Sequence, residues 1–179
     1  GMDDLLASEL KQLGANDIKP AVAGVGFTAD LTVAYRICLW SRLASRILLQ
    51  LGEFAAADDA QLYQGVQGID WHEHLNVDGT LAVSCQLNKC SMTNSHYATL
   101  KIKDAIVDQF SERFNQRPWV DRDQPDIRVH VYIERDLARI SLDLSGESSH
   151  RRGYRSGQVA APMKENLAVA VLLRAGWPN

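Results

Sequence analysis

Residues 150–155 read HRRGYR, and they lie between a strand-like run, ISLDLS, and a helix-like run, APMKENLAVAVLL. Arg151, Arg152 and Arg155 are of a type that pairs bidentately with phosphates, and the ring of Tyr154 can stack on an unpaired base. The same residues would serve equally as an arginine-rich hinge that pins two domains through salt bridges. Both readings stand at this point, with only Glu147 close by to balance the three arginines.

A second candidate surface lies on a long helical run through Leu100, Ile102, Ile106, Phe110 and Phe114. Lys101 has Asp104 three residues on, whereas Lys103 has only Thr99, Leu100, Ile106 and Val107 at helical contact spacing. Arg113 faces Gln109, Phe110 and Arg117. Lys103, Arg113 and Arg117 therefore form a basic stripe that could track a phosphate backbone or stand as a solvated helix face.

Other combinations carry less chemistry. WHEH at 71–74, and Cys85 with Cys90 and His96, lack the spacing of a metal site, so no metal is expected. Cys90 with His96 lacks a third group to orient a nucleophilic pair. GVGFTA lacks the pattern of a dinucleotide loop and reads as a strand and turn. No catalytic residue is assigned.

The elements that position these residues follow from periodicity. Leu5, Leu6, Leu10 and Leu13 predict a first helix stopped by Gly14. DIKPAVA and GVGFTA predict two short strands turned at Gly24. Asp30 caps a second helix whose apolar side, Leu31, Ala34, Ile37, Cys38, Trp40 and Leu43, is expected to face inward. RILLQLGEF reads as a strand closing this first unit near Ala57. A further helix then runs through Leu62 and Val66, and a strand follows through Leu81, Val83, Cys85 and Leu87. Beyond the long helix, RPWVDRDQPD reads as a connector, and Ile127–Ile133 with Ile140–Leu144 as a hairpin. Pro162 suits the first turn of a last helix, which is apolar on more sides than one partner covers.

The chain has 179 residues, 46% of them apolar, and a net charge of -3. A pI near 5.9 argues against a nucleic-acid binder, but the charge is segregated. Residues 31–50 hold three arginines and no acid, residues 51–80 six acids and no base, and residues 145–179 five bases against two acids. Such a chain can present a basic face. No apolar run reaches the ~18 residues of a membrane span. With no basic or apolar leader in GMDDLLASEL, and three cysteines in no framework spacing, the expectation is a cytoplasmic protein with free thiols.

DLSGESSHRRGYR followed by APMKENLAVAVL resembles the junction in THUMP-domain RNA methyltransferases, where an RNA-binding front end meets the S-adenosylmethionine-dependent catalytic domain. LWSRLASRI, LYQGVQGIDW, KIKDAIVDQF and RPWVDRDQPDIRV resemble the N-terminal half of the bacterial family that methylates guanine in large-subunit rRNA. The resemblance implies an α/β (α+β) chain in three parts. Residues 1–57 would be a ferredoxin-like unit lacking its first strand, residues 58–145 a THUMP-like RNA-binding domain, and residues 146–179 a linker and the first helix of a class I methyltransferase domain. It implies large-subunit rRNA and a catalytic domain in the same parent chain as partners, and S-adenosyl-L-methionine as the parent's cofactor. The glycine-rich cofactor loop and the Asn-Pro-Pro-aromatic motif would lie past Asn179, so this chain alone is expected to bind no cofactor and to be inactive. The rivals are a tRNA-modifying THUMP methyltransferase and a ferredoxin-like protein-interaction module.

Overall fold

The computed structural model describes residues 2–21, 24–146 and 162–177, and the chain divides into two units. One comprises the residues up to Ile47 with the C-terminal segment; the other is Leu48–Gly146. HRRGYR lies outside the described residues.

In the first unit, α1 (Asp3–Gln12) carries two acids in its first turn and Lys11 in its last, both favourable to the helix dipole. Gly14 leaves the helix at φ 102°, a conformation open to glycine. β1 (Asn16–Ala21) and β2 (Gly24–Thr28) form an antiparallel pair. Asp30 then caps α2 (Leu31–Trp40), its Oδ1 accepting from the Val33 N–H at 2.7 Å. The chain turns out of α2 at Ser41 around Glu9 of α1. That buried carboxylate accepts from the Ser41 hydroxyl at 2.6 Å, the Arg42 N–H at 3.0 Å and the Leu43 N–H at 3.2 Å. Leu43, Ala44 and Ile47 are thereby buried although they follow the helix.

The final helix, α5 (Glu165–Arg174), belongs to this unit. Its buried Asn166 donates to the Ser45 hydroxyl at 2.8 Å, and Arg174 meets Asp4 at 2.6 Å. Polar pairs at both ends of α5 thus fasten it to the first unit. Leu167, Val171 and Leu172 remain exposed, in line with a helix apolar on several sides.

The second unit begins earlier than Asp58. β3 (Leu48–Ala55), expected to close the first unit, pairs antiparallel with β7 (Leu137–Asp143) and bulges between Gln50 and Gly52. After α3 (Asp59–Gln67), β4 (Thr80–Asn88), α4 (Ser95–Phe114), β5 (Trp119–Val120) and β6 (Ile127–Glu134), the sheet order is β3-β7-β6-β4-β5, with β4 parallel to β5 and β6. The sequence RPWV, read as connector, supplies the short edge strand β5.

The alternation read in the sequence lands as expected, with Val129, Val131 and Ile133 on the buried phase of β6. They meet Leu62 and Val66 of α3, Ile102, Ile106 and Phe110 of α4, and Trp71 in one core. Trp71 sits in a three-residue 3-10 turn and donates its Nε1–H to the Val66 carbonyl at 2.9 Å. Gln109 fastens the same loop to α4 by accepting from the Trp71 N–H and donating to the carbonyls of Gln67 and Ile69. Among the described residues no helix is long and apolar enough to cross a membrane.

Candidate nucleic-acid interface

The structure does not assemble the basic stripe expected on α4. Lys103 Nζ lies 2.7 Å from Asp104 Oδ1, so the expectation that no acid on its helix neutralises it is corrected. Adjacent helical residues do not face each other, but the long lysine stem spans the gap. Arg113 turns to the loop before β4, 3.1 Å from Asp70 Oδ1 and 2.8 Å from His72 Nδ1, with its guanidinium 5.5 Å from the Phe114 ring centre. Arg117, past the helix end, folds back to Asp108 at 3.1 Å, and Asp108 also accepts from the Tyr63 hydroxyl at 3.0 Å. At 3.6 residues per turn Lys103 and Arg113 point about 80° apart, and each is engaged by its own carboxylate.

The surroundings of these cations are acidic. Asp70, Glu73, Asp78, Asp108, Glu112, Asp121, Asp123 and Asp126 come from the same segments as Arg113, Arg117, Arg122 and Arg128. A phosphate backbone gains little from a surface whose arginines are already paired and outnumbered.

The first unit carries a different surface. Trp40 and Leu31, expected inward, are 69% and 57% exposed, and Leu39 and Tyr35 are 68% and 54% exposed. The inward phase of α2 is held by Ala34 and Ile37 alone. The periodicity is ambiguous because α2 is apolar nearly all round, and the inward set fills its quota with two small-footprint positions. Arg36, Arg42 and Arg46 are exposed within and just beyond the same helix. Arg36 reaches the Leu13 carbonyl at 3.5 Å, and Arg42 engages Glu9 through Nε at 3.4 Å. Sequence reasoning assigned none of these residues to a site. The available signal was the three arginines without an acid over residues 31–50.

Cys85 and Cys90 come near each other, while the histidines of WHEH find other partners. His72 pairs with Asp70 and Arg113, and His74 meets Trp71 edge-on. No group of three or more potential metal ligands occurs among the described residues. Burial, with the neighbouring Cys90 thiol adding to it, pushes the Cys85 thiol up to about 12, which leaves it protonated and unreactive at neutral pH. The Tyr63 hydroxyl is also raised, by burial and then by the hydrogen bond to Asp108.

A split into a small α/β unit and a five-stranded sheet covered by two helices defines a two-domain α/β protein, and comparison with known proteins gives both parts. Residues 1–48 match the RlmL ferredoxin-like domain and residues 56–143 the THUMP domain. The ribosomal RNA large subunit methyltransferase K/L of Syntrophotalea carbinolica is 55% identical over all 179 residues, and that of Pseudomonas entomophila 51%. The chain covers 25% and 24% of those two proteins, so it spans about a quarter of the length of the curated relatives it matches. Among solved structures, SMU.472, described as a methyltransferase and complexed with SAH, superposes with a TM-score of 0.85 at 30% identity, over 99% of this chain and 47% of that one. The chain thus carries an RlmL ferredoxin-like domain followed by a THUMP domain, and along its whole length it is similar to about a quarter of these rRNA large-subunit methyltransferases.

Proposed function

We propose that this chain is the RNA-holding front end of an S-adenosylmethionine-dependent methyltransferase that modifies a guanine of large-subunit ribosomal RNA in the cytoplasm. The observation that carries the reading is the similarity, over all 179 residues, to relatives named ribosomal RNA large subunit methyltransferase K/L. The SAH bound in SMU.472 supports S-adenosylmethionine as the methyl donor of the whole protein. In this reading the catalytic domain lies in the same parent chain, and the residues described here bind and orient RNA without touching the methyl group.

Two sets of candidate contacts go with the reading. Arg151, Arg152, Arg155 and Tyr154 would hold phosphates and a base at the linker, and Lys103, Arg113 and Arg117 would contribute only by exchanging their present carboxylate partners for phosphate. Filter binding of this chain to large-subunit rRNA, tRNA and duplex DNA tests the function. Tighter, salt-dependent binding to large-subunit rRNA is expected. Replacing Arg151, Arg152 and Arg155 with alanine should flatten the slope of log affinity against log salt by about 2. Equal affinity for rRNA and DNA would overturn the reading, and preference for tRNA would move the substrate.

A further inference from the structure

We propose that the outward face of α2 and the turn after it form an RNA-docking surface, with Arg36 and Arg42 on phosphates and Tyr35 and Trp40 stacked on unpaired bases. The inference deepens the RNA reading and rests on it.

Three observations support the assignment. First, Tyr35 and Trp40 are more than half exposed on a helix that is otherwise well anchored, by the Asp30 cap at one end and the Glu9 network at the other. Large aromatic faces held in water on a rigid element are pre-organised for stacking, which every base accepts because every base has a π-face. Second, the cations here are not outnumbered. From residue 31 to residue 50 there is no acid, and the nearest carboxylate reaching the turn, Glu9, is buried and already accepts from Ser41, Arg42 and Leu43. Arg42 gives Glu9 only its Nε and keeps about half of its side chain exposed, at 52%. Third, Arg36 and Trp40 stand four residues apart on one side of α2 and Arg42 follows in the turn, so cations and exposed rings share this surface. In the THUMP unit Arg113 and Arg117 are each paired with a carboxylate in a segment where acids outnumber bases.

An apolar protein surface would also cover Leu31 and Leu39, but it would bring no anion to the exposed Arg36 and Arg42. The occupant that satisfies both features is an unpaired stretch of RNA.

The test uses the full chain, purified large-subunit rRNA and a salt series. Replacing Arg36 and Arg42 with alanine should flatten the log–log salt slope by about 1.4 if the contacted RNA is single-stranded. Replacing Tyr35 and Trp40 with alanine should weaken binding at least about tenfold with the slope unchanged, and Tyr35→Phe with Trp40→Phe should restore it. Circular dichroism should show every variant folded, because the replaced rings are exposed. Failure of the unaltered chain to prefer rRNA would sink the functional reading itself. Normal rRNA binding by the unaltered chain and by both alanine pairs would overturn this surface alone. Capture of a protein partner through α2 with rRNA affinity intact would do the same.

Discussion

The two units of this chain solve opposite problems with similar amounts of apolar sequence. Leu48–Gly146 buries Leu62, Val66, Trp71, Leu81, Ile102, Ile106, Val131, Ile133 and Ile140 completely, in one core beneath two helices. The first unit leaves Leu31, Tyr35, Leu39, Trp40, Leu167, Val171, Leu172 and Trp177 exposed around a two-stranded sheet too small to cover three helices. Charge divides the same way. The THUMP unit holds nine Lys and Arg against fifteen Asp and Glu, -6, while the first unit with the C-terminal segment holds ten against seven, +3. A domain whose family name suggests RNA binding thus carries the negative charge, and its small neighbour carries the positive charge and the bare rings. The difference teaches that burial is concentrated in the THUMP unit, whereas the excess positive charge and the exposed rings that the proposed RNA contacts need lie in the first unit and the C-terminal segment.

The largest effect that sharpens this contrast is expected at Trp71. Its ring is fully buried and its Nε1–H satisfies the Val66 carbonyl, so Trp71→Ala removes a large apolar contact and orphans an acceptor. A loss of about 3–5 kcal/mol is expected in denaturant unfolding of this chain. A loss below about 1 kcal/mol would mean that the core collapses around the gap and that the THUMP unit is less rigid than its burial implies. By contrast Trp40→Ala should leave stability nearly unchanged, since two-thirds of that ring already faces water.

In the first unit the comparable weak point is a polar group. Glu9→Ala strips the buried Ser41 hydroxyl and the Leu43 N–H of their acceptor, and about 2–3 kcal/mol of destabilisation is expected. Glu9→Gln keeps one oxygen and should cost less than the alanine. If instead both substitutions were silent in thermal unfolding, the turn after α2 would be held by packing of Leu43 and Ile47 alone, and the rigid presentation of Trp40 would lose its support.

How far these features were legible in the sequence differs between the units for the same physical reason. In the THUMP unit, Ile127, Val129, Val131 and Ile133 alternate with Arg128, His130 and Tyr132, because one sheet face is covered and the other is not. Period and burial then agree, and β4, β6, β7, α3 and α4 could be read directly. β5 was missed because two residues beside a proline carry no period, and their place follows from pairing with Thr80 and Leu81. In α2 the residues are apolar on every side, so the pattern has no phase, and Trp40 was placed inward where the structure exposes it. β3 was assigned to the wrong sheet since a strand's sequence records its faces and not its partner. Ion pairs were the least legible: Arg113 and Arg117 find Asp70 and Asp108 forty-three and nine residues away, a distance that helical spacing rules cannot see.

The smallest expected effect concerns how α5 is fastened. Arg174 donates to both oxygens of Asp4, at 2.6 and 2.7 Å, and that hydrogen bond holds the Asp4 carboxyl below its ordinary value of 3.8. A carboxylate whose pKa is depressed by folding contributes above the unfolded pKa, and the contribution fades as pH falls through the folded value. Both side chains are more than half exposed, so water and salt screen the pair almost fully. Asp4→Asn is therefore expected to leave the melting temperature at pH 7 within measurement error, and any residual difference should shrink as pH falls through the depressed Asp4 value. The buried Asn166, donating to the Ser45 hydroxyl and the Leu43 carbonyl, is the stronger tether, and Asn166→Ala should exceed Asp4→Asn in every unfolding measurement. A reversal of that order would mean that α5 is held by charge at its exposed end, in which case high salt should loosen it. Salt independence of the Asp4→Asn variant together with salt sensitivity of the unaltered chain would then identify the charge pair as the fastening.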